Sequence, residues 1–261
     1  MSKFSRVVDV LDLFSSQATL LTAEDIAARL QISRPTAFRY ARELTAAGFL
    51  ANFSGSYSLG ARIITLDYRI RESDPVLRVA RPMMQELASE VSATVVMCRM
   101  YNEEVVNVHQ ESPVQDGSSI LGRGRSLPLF RGAASKAMLA NLPPAKVRKI
   151  YERHCAEPEV KLIGSSWSEF WSSMKTIRQK GFYVSIREIS DLTCGIAAPI
   201  ALPAVGTVAV LAIVFPASRL PLINTEGLGK RVNAVASIIT SHLAALTSAG
   251  RPMDRDKVST Q

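Results

Sequence analysis

Cysteine is scarce in this chain and scattered. Cys98, Cys155 and Cys194 are an odd set with no C-x-x-C pair. That excludes a disulfide framework and leads us to expect a reducing, cytoplasmic setting. Histidine is equally sparse. His109, His154 and His242 fall in different expected elements with no zinc-ligand spacing, so neither a metal nor a cofactor is expected. The longest apolar run, residues 205–217, contains Gly206 and Pro216. It is too short to span a bilayer and reads as a buried strand. The opening Met1-Ser2-Lys3-Phe4 leads into a pattern broken by Arg6, Asp9 and Asp12, which is no signal-peptide core. Catalytic constellations are missing as well. Ser172-Ser173-Met174-Lys175 has S-x-x-K spacing without the S-D-N or K-T-G that accompany it in serine–lysine enzymes. Gly122-Arg123-Gly124 lacks the third glycine and the G-K-[ST] of a phosphate loop and reads as a surface turn. The chain is not expected to be an enzyme. It shows no internal repeat and no low-complexity segment.

What is present begins with charge. The 261 residues carry a formal +8, and 47% of them are hydrophobic. That suits a small domain plus a larger one with a buried core, and an anionic partner. The local concentration is sharper than the total. Residues 21–30 form a short amphipathic helix, with Thr22 as N-cap and Asp25 completing a capping-box-like pair. Gln31-Ile32 turns, Ser33 caps a second helix, and Pro35 fits only its first turn. That helix runs from 34 to about 47, buries Ala37, Tyr40, Ala41 and Leu44, and stops at Gly48. Its other face holds Arg34, Thr36, Phe38, Arg39 and Arg42, a set suited to a DNA major groove. Phe4, Val7, Val8, Leu11 and Phe14 supply an earlier helix at helical spacing. Residues 48–53 and 57–59 are strand-like around the turn Ser54-Gly55-Ser56. Three helices followed at once by a hairpin make a winged helix-turn-helix.

Beyond it, residues 61–72 read as a linker helix ended by Ser73-Asp74-Pro75. A helix to about residue 90 contains Pro82, which should kink it or set its start. Strands are expected at 94–100, 104–109, 182–186, 194–201 and 207–215. Helices are expected at 132–142, 145–154, 166–180 and 225–247, and residues 115–119 read as a loop. Strands mixed with helices in this order give an α+β domain. The expected division is residues 1–60 for the reader, 61–74 for the linker, 75–249 for the second domain and 250–261 for a frayed tail.

Several blocks resemble the IclR-type family of bacterial transcription regulators. Ser33-Arg34-Pro35-Thr36-Ala37-Phe38-Arg39-Tyr40, Gly48-Phe49-Leu50 and Tyr57-Ser58-Leu59-Gly60 are similar to its DNA-binding domain. Arg81-Pro82 with Glu86-Leu87-Ala88, Leu127-Pro128-Leu129, residues 133–136 and Leu142-Pro143-Pro144 resemble its effector domain. So do Gly181-Phe182, Gly195-Ile196-Ala197-Ala198-Pro199-Ile200 and Pro216-Ala217-Ser218-Arg219-Leu220. The ordered set spans nearly the whole chain. The resemblance implies a GAF-like sheet flanked by helices. It also implies a homodimer, which can pair into a tetramer, on a palindromic operator in double-stranded DNA. A small-molecule effector would control it, with catabolic or related operons as targets. The alternative is an enzyme or small-molecule-binding module with a basic N-terminal appendage.

By the same resemblance, the effector pocket falls to Ser119, Leu121, Gly132, Ala133, Ala134, Ser185, Thr193, Gly195, Ala212 and Val214. This chain departs from relatives that bind small polar acids. Ser185 stands where an acidic residue is frequent, Gly195 where a cysteine is frequent, and Ala212 and Val214 where some relatives have serine. Phe130 replaces a common histidine. Fewer polar groups imply a roomier, more apolar pocket for an organic acid with an aromatic or alkyl body. Arg131 or Arg187 is expected to pair with its carboxylate. On the reader, Ser54 and Ser56 join Arg42 as expected phosphate contacts, and Ile63, Ile64 and Leu66 of the linker are expected at the dimer contact.

Overall fold

The computed structural model describes residues 3–113, 122–202 and 205–248. The expected loop at 115–119 and the tail from 250 lie outside the described residues. The chain divides into two compact units, Met1–Asp74 and Pro75–Gln261.

In the first unit, α1 (Lys3–Val8) is followed by a 3-10 turn, Leu11–Leu13. The single helix expected over this stretch is therefore broken. Val10, in the break just before that turn, is fully buried, while Val8 at the end of α1 is exposed. Strand β1 (Leu21–Thr22) leads into α2 (Ala23–Leu30). Thr22 Oγ1 accepts from Asp25 N–H at 3.1 Å, and Asp25 accepts from Thr22 N–H at 2.8 Å, closing a capping box. The left-handed Gln31 ends α2, Ser33 caps α3 (Arg34–Ala46), and Pro35 sits in its first turn. Strands β2 (Leu50–Phe53) and β3 (Ser56–Leu59) pair antiparallel, and β1 adds to β3 through Leu21 opposite Tyr57. The third strand was not visible in the sequence, because two residues are too few to show alternation. Ile26, Tyr40, Leu44, Leu50 and Tyr57 pack as one core. Helix α4 (Ala61–Ser73) buries none of its residues within this unit.

In the second unit, α5 (Pro75–Val91) holds Pro82 in its interior, since Pro75 takes the first helical position. Six antiparallel strands follow in the spatial order β6-β5-β4-β9-β8-β7. They are β4 (Thr94–Tyr101), β5 (Glu104–Glu111), β6 (Ser126–Leu127), β7 (Tyr183–Ile186), β8 (Thr193–Leu202) and β9 (Gly206–Pro216). Between β6 and β7 lie α6 (Ala133–Asn141), α7 (Pro144–His154), α8 (Pro158–Ile163) and α9 (Trp167–Lys180); α10 (Thr225–Ser248) closes the chain. The sequence reading lacked α8, which at six residues is too short to carry a period.

The sheet separates two cores. On one face, Met84 and Leu87 of α5 and Val235 and Ile239 of α10 pack on Ile196, Leu211 and Ile213. On the other, Met138, Leu139, Ile150, Phe170 and Met174 pack on Val96, Val210 and Ala212. Strand alternation produces this division, since Val210 and Ala212 face opposite to Leu211 and Ile213. Among the described residues, no helix is long and apolar enough to cross a membrane, and no group of side chains is placed to hold a metal ion.

Candidate functional site

Helix α3 presents a polar face because its apolar positions are taken up by the core. Ala37, Tyr40, Ala41 and Leu44 are buried, while Phe38 is 52% exposed. Arg34, Arg39 and Arg42 are exposed beside it. Arg34 pairs with Glu24 of α2, and the Arg39 guanidinium lies 5.3 Å from the Tyr40 ring centre. The Thr36 hydroxyl is 2.8 Å from the Ser33 cap hydroxyl, so it is half engaged at the helix start. The β2–β3 turn consists of Ser54 (φ 51°) and Gly55 (φ 89°). Two successive positive φ values give the tight, right-twisted hairpin typical of such wings. Ser54 stands exposed at the tip, and Ser56 is half-buried at the start of β3.

In the second unit, one pocket opens between the sheet and the start of α6, with about 540 Å³ of space, part of it open to solvent. Gly132, Ala133 and Ala134 supply its helical side, and Ser185, Thr193, Gly195, Ala212 and Val214 its strand side. The ladder explains that convergence: Ser185 lies opposite Gly195, and Gly195 opposite Val214. Gly195 also lets α6 approach. A Cβ there would sit 3.4 Å from the Ala133 methyl. Ser119 and Leu121 lie outside the described residues.

The two arginines expected at a carboxylate are not among the lining residues. Arg131 is turned to the backbone of the loop after β7, its Nε 2.7 Å from the Glu188 carbonyl. Arg187, at φ 56°, is exposed. Among the described residues, the lining includes no cationic side chain. Backbone donors are present instead. The first intrahelical bond beyond the cap runs from Lys136 N–H to Gly132 O, so the N–H groups of Ala133, Ala134 and Ser135 have no partner within the helix. Ser135 is fully buried, and its hydroxyl has no partner.

The sequence reading missed Val96, Cys98, Asn107, Leu127, Ile189, Cys194 and Ile213. Val96 and Cys98 were accessible in principle, as alternate residues of one strand. Asn107 was not. The β4–β5 register shifts between Met97 and Cys98, so Val108 has no partner and β5 bulges there. The bulge breaks the alternation. Asn107 is 1% exposed, and its Oδ1 accepts from His109 N–H at 3.2 Å. Burial pushes the Cys98 thiol up to about 12, so it stays protonated and neutral.

Beside the lining residues Gly132 and Ile189, Glu188 collects three donors. Gly132 N–H lies 2.9 Å from Oε2, Lys136 Nζ 2.7 Å from Oε2, and the Tyr183 hydroxyl 2.7 Å from Oε1. Burial alone would raise the Glu188 carboxyl, but these partners outweigh it and hold it below the usual value of 4.5. Burial, reinforced by the neighbouring carboxylate, pushes the Tyr183 phenol well above its ordinary range.

The chain matches two family models. One, described as the IclR helix-turn-helix domain, covers residues 5–52. The other, described as bacterial transcriptional regulator IclR C-terminal, covers residues 70–241. The HTH-type transcriptional regulator KipR of Bacillus subtilis (strain 168) is 26% identical over 196 residues, which cover 73% of this chain and 76% of that protein. A crystal structure of an IclR family transcriptional regulator from Brucella abortus is 26% identical with a TM-score of 0.70, covering 92% of this chain and 91% of its own. A homolog from Microbacterium hydrocarbonoxydans, solved in complex with 4-hydroxybenzoate, is 22% identical with a TM-score of 0.70, over 92% of this chain and 100% of its own.

Proposed function

From the premise that the chain belongs to the IclR family of bacterial transcription regulators, we propose that it binds a palindromic operator as a homodimer and releases or grips it in response to a small organic acid with an aromatic or alkyl body. The observation that carries the ligand class is the pocket: an apolar chamber whose helical end offers the free N–H groups of the first turn of α6. A helix N-terminus favours a carboxylate through its aligned dipoles and unsatisfied donors. This assigns the acid end to the α6 backbone rather than to Arg131 or Arg187. The apolar walls formed by Val96, Leu127, Ala212 and Val214 then receive the body of the ligand. The relative from Microbacterium hydrocarbonoxydans, with 4-hydroxybenzoate bound, supports the same class. Catabolic or related operons follow as the targets, since such acids are breakdown intermediates.

Ala134 lines the pocket and is 5% exposed, so a larger side chain there fills ligand space. The test compares operator affinity of the wild type and Ala134→Phe with and without 4-hydroxybenzoate and its alkyl analogues, alongside melting temperature. The variant is expected to bind the operator normally and to lose the response. A stable variant that still responds fully would place the pocket elsewhere.

A further inference from the structure

The loop joining β7 to β8, residues 187–192, borders the pocket. Its ends are pinned together, with Arg187 N–H donating to the Thr193 carbonyl at 3.1 Å. Inside the loop, Ile189 is the residue that reaches the pocket lining. It packs directly on Gly132, where an added Cβ would sit 2.4 Å from Ile189 Cδ1. Only glycine, at φ +86° and without a side chain, leaves room for that contact. The rest of the loop is tied down from α6. Glu188 caps the Gly132 N–H and pairs with Lys136, both of these charged groups being largely buried. Arg131 holds the Glu188 and Ile189 carbonyls at 2.7 and 3.4 Å.

We infer that residues 187–192 form a strap in which Ile189 sets the size of ligand the pocket admits, with Glu188 as the positioning residue that keeps Ile189 seated on Gly132. Four features support this together. A branched apolar side chain forms one wall of the pocket. The backbone beneath it carries a left-handed, non-glycine residue, Arg187. The strap's outer residue, Leu192, is 73% exposed, so little apolar burial secures it from that side. Three of the polar ties that hold it end on one carboxylate, that of Glu188, beside the backbone bonds from Arg131 and Ala217. Removing the Glu188 charge weakens three donors' contacts at once, and a strap held by so few groups then opens locally without global unfolding. The size-selection arm rests on the carboxylate-ligand reading above; the gating arm does not.

Cys98 supplies a ligand-independent reporter, because it lines the same pocket and is fully buried, whereas Cys155 is exposed and serves as the internal control. The full-length protein is treated with N-ethylmaleimide, and the labelling rate of each cysteine is followed by peptide mass spectrometry. Glu188→Gln and Ile189→Ala are expected to label Cys98 about tenfold faster than wild type, a factor equivalent to about 1.4 kcal/mol. Ile189→Leu should restore the wild-type rate, with Cys155 and the melting temperature unchanged throughout. In the second arm, thermal shifts with benzoate and 4-butylbenzoate are compared. Ile189→Ala should move the preference toward 4-butylbenzoate. If Cys98 labels at the same rate in all variants, or its rate merely tracks lost melting temperature, the strap is refuted. If labelling changes as expected but neither acid stabilises any of the proteins, the carboxylate reading fails and the strap stands. If both acids bind and Ile189→Ala leaves their ratio unchanged, the size-selecting role of Ile189 is refuted.

Discussion

Arg39 and Arg42 sit three residues apart on α3 and should do different work on DNA. Arg39 lies beside the exposed Phe38 in the N-terminal half of α3, where base edges are approached, while Arg42 stands one turn further along. Arg39→Ala is expected to cost about 1–3 kcal/mol and relax sequence preference, whereas Arg42→Ala should weaken binding evenly and flatten the salt dependence. Gel-shift titration at several salt concentrations separates the two. A third residue-scale expectation concerns His154, whose ring lies 2.6 Å from Glu157 and 3.4 Å from Glu103. The bond to Glu157, aided by Glu103 and opposed by partial burial, raises the imidazole above its ordinary 6.5. A raised folded value means that the stabilisation is complete below the unfolded pKa and is lost as pH rises through the folded one. The wild-type melting temperature should therefore fall as pH rises above the ordinary imidazole value of 6.5, and His154→Gln should flatten that slope. An identical slope in the variant would show that another group dominates. Residues whose neighbours lie within a few positions, such as Thr22, Asp25 and Ser33, were legible in the sequence. Arg131 was not, because its partners lie 57 and 58 residues away.

Helices with a stop and a start written into their own residues were legible to within a residue or two. Helix α3, with Ser33 and Pro35 at its start and Gly48 beyond its end, is the clearest case. Where the winding changes, as between α1 and the Leu11–Leu13 turn, apolar spacing alone misled. Helix α6 shows what only packing reveals. Its start is tied by Glu188 and its end by Arg178, which donates to the Ala140 and Leu142 carbonyls. The helix is thus fixed at both ends beside the pocket. Helix α10, tied to α5 through Arg231 and Glu90, depends also on a gap. A Cβ at Gly229 would lie 2.1 Å from the buried Phe182 ring. Gly229→Ala should cost about 1–3 kcal/mol through overpacking, read as a lower melting temperature. The double variant with Phe182→Leu should recover part of the loss. No loss in the single variant would mean that the ring has room to move.

For the whole molecule, the order of elements and the α+β class were legible, whereas the spatial order of the strands was not. The sheet places β9, late in the chain, between β4 and β8, a long-range choice that no local pattern encodes. The division at Asp74 leads to a further expectation. Deleting residues 1–60 should abolish operator binding while leaving any thermal shift with 4-hydroxybenzoate intact. Loss of both would show that the second unit needs the first to fold. Of the residues expected at the dimer contact, Ile64 of α4 is 71% exposed, while Ile63 and Leu66 are half-buried. Sedimentation should report a dimer or larger at micromolar concentration, and a monomer with and without operator would refute it.

The sheet that divides the two cores has a bearing on how such a chain can diversify. Its pocket-side residues, Ser185, Thr193, Gly195, Ala212 and Val214, interleave along the strands with residues committed to the face of α5 and α10. Descendants can exchange the first set while the second stays constant, because neighbouring positions point to opposite sides. Ligand preference is then free to drift between lineages at little risk to folding. Helix α5, which opens the second unit at Pro75, would meanwhile keep its seat on the sheet, so a new chemical signal could be acquired without repacking that core.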